Sequence, residues 1–291
     1  MKNNYKDLDN RIFIILVIIV GVALLSFFIP VSSDGKLHIW FLDVGQGDAI
    51  FIQTPKGAQI LIDGGPGKNV LKELGEVMPF YDKSLDVVIL THSDADHLSG
   101  LVDVLERFKV ERIIETGLNC QTNLCDAWEK SKRLEEATEE IAKFGDALAI
   151  SDDVKIDIIH PFVDLNNSDM TKQNNSSVVL ILSYNGRKLL LPGDIESPAE
   201  EKIVLSGIDI DVDFIKLAHH GSKTSTSDLF FKKASPLYAF IEVGAGNKFN
   251  HPSPEVIERL EQSGIPYYRT DINGRTELII DRYNYEIKTE N

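Results

Sequence analysis

The sequence predicts an α/β protein in which β-sheets form the interior and helices form the outer layers. Short apolar segments rich in β-branched residues, such as 85–91, are typical of strands, and segments with apolar residues at helical spacing, such as 98–108, are typical of helices. The two kinds alternate along two similar halves of the chain. With 291 residues, 43% of them hydrophobic, the chain can bury a sizeable core. We therefore expect one globular domain over residues 36–285.

The domain is predicted to open with an antiparallel meander of three strands, at 38–44, 48–54 and 58–63. Glycine-containing turns at 45–47 and 55–57 connect these strands. The later elements are expected in the following order: a helix at 69–78, a strand at 85–91, a helix at 98–108, a strand at 110–115, a charged amphipathic helix at 125–144, strands at 154–159, 178–184 and 188–191, a helix at 198–206, strands at 214–217 and 237–243, a helix at 254–263, and strands at 267–270 and 276–281.

The segment 12–29 is an apolar run of 18 residues in which only Ser26 is polar. Such a run spans about 27 Å as a helix, close to the roughly 30 Å core of a bilayer. Basic residues dominate the charges of the preceding tail, 1–11, so we expect this tail to be cytoplasmic and the domain to be exported. A cleaved signal peptide is the alternative, but its apolar region is usually shorter. The sequence therefore predicts a single-pass membrane anchor with an extracytoplasmic domain.

Two cysteines, Cys120 and Cys125, lie close together in the chain. Outside the cytoplasm such a pair favours a disulfide, and a zinc site would need a second Cys or His pair that is missing here. We expect a disulfide without a catalytic role.

The formal net charge is −15, from 45 acidic and 30 basic residues. This balance argues against a broad basic surface for nucleic acid and mildly favours small or neutral substrates. It does not exclude a nuclease, because bound metal ions reverse the local sign of the potential.

The densest polar cluster lies where the strand at 85–91 ends and the next helix begins. Four residues there can bind metal: His92, Asp94, Asp96 and His97. Two imidazoles and two carboxylates suit Zn²⁺, Mn²⁺ or Fe²⁺. A helix N-cap would explain one aspartate, but it would leave the second aspartate and both histidines without a role. The cluster therefore predicts a divalent-metal site.

The pattern His92-x-Asp94-x-Asp96-His97 resembles the HxDxDH variant of the metallo-β-lactamase signature HxHxDH. Further segments resemble, in order, the exported hydrolase domain of ComEC competence proteins and its stand-alone relatives. The resemblance covers residues 37–282 and implies an αββα sandwich with the metal site at one edge, between the sheets. It also implies hydrolysis by a metal-bound hydroxide. The matching segments are Asp43-Val44-Gly45-Gln46-Gly47-Asp48, Leu61-Ile62-Asp63-Gly64-Gly65, Asn174-Asn175-Ser176-Ser177, Gly193-Asp194-Ile195-Glu196 and His219-His220-Gly221-Ser222.

Carried over residue by residue, the resemblance implies two divalent ions, Zn²⁺ or Mn²⁺. His92 and Asp94 would bind the first ion, Asp96 and His97 the second, and Asp194 would bridge them. One of His219 and His220 would complete the site, and Asp96 would also orient the attacking hydroxide. These are the expected metal ligands and the expected catalytic residue.

The chain departs from the superfamily pattern at one ligand. The superfamily supplies another histidine before the bridging aspartate, whereas here the only candidate is His160, outside the matching motif. The segment 174–176 occupies the comparable place. The first ion is therefore expected to have fewer ligands.

Other residues are candidates for the substrate or for orienting the ligands. Ser222, Lys223, His251 and Asn175 are expected to contact the substrate. Two aspartates that end or flank the early strands, Asp63 and Asp43, are candidates for orienting the histidines, although turn stabilisation is an alternative for both.

The predicted anchor and the resemblance together indicate a membrane-anchored, extracytoplasmic, metal-dependent phosphodiesterase or nuclease, linked to DNA uptake or turnover. One predicted span provides no channel, so the protein is not itself a transporter. Two alternatives remain open: an esterase for exported phosphodiesters such as choline-phosphate or teichoic-acid groups, and a metal-binding module without catalysis. No stable protein partner is evident from the sequence.

Overall fold

The computed structural model describes residues 14, 15, 17, 34–151, 154–168 and 173–291. The predicted tail at 1–11 and most of the predicted anchor at 12–29 lie outside the described residues. In the part of the chain that is described, we find no helix with the length and apolarity needed to span a bilayer. The anchor therefore stays a prediction. Residues 35–291 form a compact unit.

The first sheet contains eight strands among the described residues. Across the sheet their order is β15-β14-β1-β2-β3-β4-β5-β6. The meander of β1, β2 and β3 is antiparallel, as predicted, and β3 to β6 are parallel. The strands are β1 (Leu37–Phe41), β2 (Ile50–Gln53), β3 (Gln59–Ile62), β4 (Ser84–Ile89), β5 (Lys109–Glu115), β6 (Thr138–Ile141), β14 (Thr276–Ile280) and β15 (Tyr285–Thr289).

The second sheet contains seven strands in the described segments. Their order is β13-β12-β11-β10-β9-β8-β7. Neighbours from β7 to β10 are antiparallel, whereas β10 to β13 are parallel. The strands are β7 (Ala147–Ser151), β8 (Val154–His160), β9 (Val179–Tyr184), β10 (Arg187–Leu191), β11 (Phe214–Lys216), β12 (Tyr238–Ile241) and β13 (Tyr267–Arg269).

The two sheets pack face to face through one apolar layer. Phe41 of β1 and Phe240 of β12 stack across this layer with ring centroids 4.2 Å apart. Because side chains alternate along a strand, β1 sends Ile39 and Phe41 into this layer and Trp40 to the opposite face. This alternation is the reason that each sheet can bury both of its faces.

Helices cover the outer face of each sheet. A second apolar cluster joins the first three helices to the first sheet, and a third cluster joins the next three helices to the second sheet. The order of layers is helix, sheet, sheet, helix, which confirms the predicted αββα sandwich. The helices are α1 (Asn69–Val77), α2 (Ala95–Leu105), α3 (Asn123–Glu135), α4 (Ser197–Leu205), α5 (Asp228–Ala234), α6 (Pro254–Ser263) and α7 (Thr270–Asn273).

The predicted helix at 125–144 is wrong in its second half. Helix α3 ends at Glu135, and Glu136 has a left-handed backbone with φ of 57°. The chain then forms β6, which pairs in parallel with β5. Arg112 of β5 binds the carboxylate of Glu140 through two hydrogen bonds of 2.7 and 3.0 Å. The acidic residues there belong to a strand rather than to a solvated helix face.

The predicted disulfide between Cys120 and Cys125 is confirmed, with a Cα–Cα distance of 5.9 Å. It closes the loop that leads into α3. Thr122 caps this helix, because its Oγ1 accepts a hydrogen bond of 3.2 Å from the backbone N–H of Cys125. The disulfide therefore fixes the first turn of α3 to the loop after β5.

Candidate metal centre

Loops at four strand ends carry the polar cluster. Asp63 follows β3 and His92 follows β4, and these two strands are parallel neighbours in the first sheet. Asp194 follows β10 and His220 follows β11, which are parallel neighbours in the second sheet. The structure brings both pairs together at one edge of the sandwich, where His97 Nε2 lies 3.2 Å from Asp194 Oδ2.

The ligand atoms of five residues converge on one small volume. His220 Nε2 lies 3.4 Å from Asp194 Oδ2 and 3.3 Å from Asp96 Oδ2. Asp96, His97 and His220 each offer an atom within 4.8 Å of the others, and so do His92, His97 and Asp194. The predicted ligands from the two halves of the sequence therefore form one cluster.

The three buried imidazoles share a hydrogen-bonding pattern. Among the described residues, the Nε2 atoms of His92, His97 and His220 are buried without a hydrogen bond of good geometry, although buried polar atoms are usually paired. Their Nδ1 atoms each have a partner inside the protein, which directs Nε2 toward the shared centre. The residues present therefore fit divalent metal. The Nδ1 partners are Thr91 Oγ1 at 3.0 Å, Asp63 Oδ2 at 2.8 Å and the carbonyl of Glu242 at 2.9 Å.

Charge at the cluster also favours a cation. Burial lowers the pKa of His220, but the carboxylates of Asp194 and Asp48 outweigh burial and raise this pKa to about 10. Burial likewise opposes ionisation of Asp96, yet the hydrogen bond with His220 is among the effects that lower its pKa to about 2. Histidines that attract protons this strongly report a negative potential, which also attracts a metal ion.

Asp94 lies at the rim of the cluster, with its Oδ2 atom 3.7 Å from His92 Nε2. It holds the N-cap position of α2, but its side chain makes no capping hydrogen bond. Capping therefore does not account for this carboxylate, which stays available as a ligand.

His160 does not join the cluster. It is buried, its Nδ1 lies 3.0 Å from the carbonyl oxygen of Ser177, and burial lowers its pKa. The Oγ of Ser177 in turn accepts a hydrogen bond of 3.1 Å from the backbone N–H of Asp194. His160 therefore supports the loop that carries Asp194, and the smaller number of ligands around His92 stays a prediction.

The structure separates the roles of His219 and His220, which the sequence left open. His220 is buried and directs Nε2 to Asp96 and Asp194. His219 has a side chain that is 23% exposed, and its Nε2 lies 3.9 Å from Asp194 Oδ2. His220 is therefore the better placed candidate ligand, and His219 lies at the edge of the site.

Three charged residues of the centre were not predicted: Asp48, Lys216 and Glu242. Lys216 is fully buried in β11, where its ammonium contacts Asp48 and lies 3.9 Å from Asp194 Oδ1. Glu242 Oε1 accepts a hydrogen bond of 2.9 Å from the backbone of Ala49, and burial raises the pKa of Glu242. The available signal was a lysine inside the apolar strand at 214–217.

The structure places the two candidate orienting aspartates differently. Asp63 accepts hydrogen bonds from the backbone N–H of Thr91 at 2.8 Å and from its hydroxyl at 2.7 Å, beside its contact with His97. Asp43 is not brought to the centre; its electrostatic neighbours include Lys72 and Glu290. Asp48 takes the second place beside the histidines, with its Oδ1 atom 3.1 Å from His220 Nδ1.

The candidate substrate residues also divide into two groups. The side chain of Asn175 is bound to Glu196 by hydrogen bonds of 3.2 and 3.0 Å, and Ser222 Oγ is buried 3.0 Å from Thr224 Oγ1. The other two lie more openly: Lys223 is exposed, and the ring of His251 lies 5.6 Å from that of His219.

A cavity of about 330 Å³ lies beside His92 and Ser93. The disulfide and the buried Lys132 belong to its lining, together with Glu115, Glu129 and Glu139. Lys132 Nζ lies 2.8 Å from Glu129 and 2.9 Å from Glu139, so its charge is already neutralised. The excess of carboxylates makes this cavity unsuitable for a phosphate.

Comparisons with known proteins agree with this geometry. Residues 42–241 match the model of the metallo-beta-lactamase superfamily. The chain is 32% identical over 287 residues to ComE operon protein 3 of Bacillus subtilis, covering 92% of this chain and 36% of that protein. It is 27% identical to competence protein ComA of Neisseria gonorrhoeae, covering 86% of this chain and 33% of that protein. The chain thus spans about a third of the length of these relatives.

Solved structures share the fold at low sequence identity. Igni18, a metallo hydrolase from Ignicoccus hospitalis, matches with a TM-score of 0.51 and 14% identity, covering 86% of this chain and 98% of that one. The diiron β-hydroxylase CmlA from Streptomyces venezuelae matches with a TM-score of 0.54 and 14% identity, covering 84% of this chain and 54% of that one. Together with the family match, these likenesses identify the chain as a member of the metallo-β-lactamase superfamily.

Proposed function

We propose that the protein is a metal-dependent phosphodiesterase, a nuclease that acts outside the cytoplasm and is anchored through residues 12–29. The main support is the convergence of Asp96, His97, Asp194 and His220 with imidazole nitrogens directed into one centre. The likeness to the competence proteins favours DNA as the phosphodiester.

The position of each side chain in the candidate metal centre suggests its role. Asp96, His97 and His220 would hold one cation, and His92 and Asp94 would hold the other. Asp194, which lies beside His97 and His220, would contribute a further carboxylate. When bound, two divalent ions in such a site lower the pKa of a water molecule and polarise the phosphoryl oxygen. Asp96 is the most exposed carboxylate next to His220, at 32%, so it can accept a hydrogen bond from the attacking water.

Other residues of the site orient the candidate ligands, compensate buried charge or face the substrate. Asp63 holds the tautomer of His97, and Lys216 compensates the buried charge of Asp48. His251 is uncharged at neutral pH, because burial is the main cause that lowers its pKa to about 4. It therefore offers a neutral hydrogen-bonding ring, and Lys223 offers the positive charge that a phosphate needs.

The first test is hydrolysis of bis-p-nitrophenyl phosphate and of single-stranded DNA by the full chain with Mn²⁺ or Zn²⁺. We expect both to be cleaved, and Asp96→Ala to lower kcat by about 100-fold or more, since a positioned group next to the reacting water contributes on that scale. Asp103→Ala is the matched control. It lies on the same helix beside Lys68, at 3.8 Å, and should keep its activity.

The outcomes separate the alternatives. Cleavage of the small diester without DNA cleavage would point to an esterase for exported phosphodiesters. Metal binding without hydrolysis of either substrate would contradict an enzyme and leave a metal-binding module.

A further inference from the structure

An exposed aromatic ring lies next to the candidate metal centre. Phe249 is 51% exposed, and its ring stacks on that of His251 with centroids 5.8 Å apart and planes inclined by 17°. His251 in turn packs edge to face against His219, at 5.6 Å. The half-exposed Phe249 is therefore connected through His251 to His219, which borders Asp194.

The loop that carries this ring is held in place by its own hydrogen bonds. Asn247 donates to the carbonyls of Gly244 and His251, at 3.0 and 2.6 Å, and its Oδ1 accepts from the backbone N–H groups of Phe249 and His251, at 3.1 and 3.0 Å. Gly244 N–H donates to Gln46 at 3.2 Å, which ties the loop to the first sheet. A ligand that stacks on Phe249 would meet a platform that is already ordered.

The loops around the ring differ in charge from the rest of the protein. Residues 244–250 contain one charged residue, Lys248, and residues 222–227 contain one, Lys223, although the whole chain has a net charge of −15. Lys248 Nζ lies over the aromatic ring of Phe249, 5.1 Å from its centroid. Two ammonium groups without a neighbouring carboxylate in either loop suit the phosphates of a polyanion.

We propose that Phe249 and His251 form a stacking platform for an unpaired base of a single-stranded nucleic acid, with Lys248 and Lys223 beside the flanking phosphates. The proposal rests on the proposed function, whose substrate class it specifies. An aromatic face that stacks on bases, together with basic residues that follow the backbone, is the usual way in which proteins bind single strands. The carboxylate-lined cavity beside His92 has the opposite charge and is not part of this surface.

The test measures the binding of a short fluorescent oligothymidylate by anisotropy. All variants carry Asp96→Ala in the full chain, so that the strand stays intact. We expect Phe249→Ala to weaken binding by about tenfold, as loss of one base stack does, and Phe249→Trp to restore it. An abasic oligomer of equal length should bind equally to all variants.

The control is Tyr283→Ala. Tyr283 is 77% exposed in the β14–β15 hairpin, and Arg282 lies 5.6 Å from its ring, so it repeats the aromatic and cationic pair away from the metal ligands. This variant should bind as the parent does.

The platform is overturned if the parent protein does not bind the oligothymidylate, if Phe249→Ala binds as tightly as the parent, or if it loses the same factor with the abasic oligomer. Hydrolysis of bis-p-nitrophenyl phosphate by the protein with Asp96 intact tests the proposed function separately. If binding depends on the base but the diester is not hydrolysed, the stacking platform is supported and the phosphodiesterase is rejected. If the diester is hydrolysed but Phe249→Ala binds the oligothymidylate as the parent does, the phosphodiesterase is supported and the platform is rejected.

Discussion

At the scale of single residues, the orientation of the three buried histidines depends on groups that do not face the centre. His97 donates through Nδ1 to Asp63, which is itself fixed by Thr91. His220 donates to the backbone of Glu242. Each contact selects the tautomer that leaves Nε2 free. The orientation of the candidate histidine ligands is therefore fixed by residues that contact their Nδ1 atoms and not the metal position.

We predict that Asp63→Asn weakens Mn²⁺ or Zn²⁺ binding by 10- to 100-fold, a range of about the size observed when partners of histidine ligands are changed. The asparagine side chain has one oxygen that accepts hydrogen bonds and one NH2 group that does not. One hydrogen bond from Thr91 or His97 is therefore lost. Isothermal titration of the chelator-treated full chain measures the affinity.

Asp43→Asn is the control for this change, because Asp43 follows β1 of the same sheet but does not reach the centre. Its affinity should equal that of the wild type. Equal losses in both variants, or no loss in either, would mean that Asp63 does not position His97.

The sequence revealed more of the candidate ligands than of the residues that support them. His92, Asp94, Asp96 and His97 lie within six consecutive positions, so one motif contains them all. Asp48, Lys216 and Glu242 come from three separate places in the chain. They meet because β11 pairs with β12 and because Lys216 and Glu242 both contact the loop after β1. A buried ion pair between distant segments leaves no local pattern that a sequence can show.

At the scale of secondary-structure elements, strands at the edges of the sheets were the ones missed. Of the four edge strands found among the described residues, three were absent from the prediction, whereas the central strands were present; the three are β6, β7 and β15. Strand β15 alternates half-buried and exposed residues, and β6 is also half-exposed. Edge strands lack the continuous apolar runs that identify a central strand, so their sequences resemble loops or polar helices.

At the start of α3, the contribution of the disulfide to the stability of the fold can be measured directly. We predict that reduction of the Cys120–Cys125 disulfide lowers the free energy of unfolding by about 2 kcal/mol, since a short closed loop restricts the unfolded chain only modestly. Urea unfolding with and without dithiothreitol measures the difference.

The double variant Cys120→Ala/Cys125→Ala is the matched control and should not respond to dithiothreitol. Titration of two free thiols in the reduced wild type confirms that the bond is open. If stability is unchanged after both thiols have appeared, the disulfide does not stabilise the fold.

At the scale of the whole molecule, the candidate metal centre connects the two sheets. His92, Asp96 and His97 belong to the first half of the chain, and Asp194 and His220 belong to the second. An ion held by both sets would oppose separation of the sheets, because a ligand that binds only the folded state stabilises it.

We predict that Mn²⁺ or Zn²⁺ at 100 times its dissociation constant raises the free energy of unfolding by about 2.7 kcal/mol over the chelator-treated protein. Chemical unfolding of the full chain at several metal concentrations measures this increase. Asp194→Ala should lose most of it, because Asp194 contacts histidines of both halves. An equal increase in that variant would place the ion elsewhere, and no increase in the wild type would contradict the centre.

The overall architecture was predictable because the motifs resemble a known family in their order along the chain. The alternation of strands and helices agrees with that order, and the family match covers residues 42–241. The choice between His219 and His220 was not predictable, since adjacent residues differ only in which side of the backbone they occupy. Positive φ angles of 51° and 53° at these two residues decide that choice, and no sequence pattern specifies them.

Strand β15 also affects how the protein behaves in concentrated solution. It covers β14, whose Leu278 and Ile280 belong to the apolar layer between the sheets. β15 itself carries Glu286 and Lys288, and charged residues on an outermost strand oppose pairing with the strand of another molecule. Strand β15 thus shields the edge of β14, and a variant that lacks the residues after 285 would expose the unpaired backbone of β14.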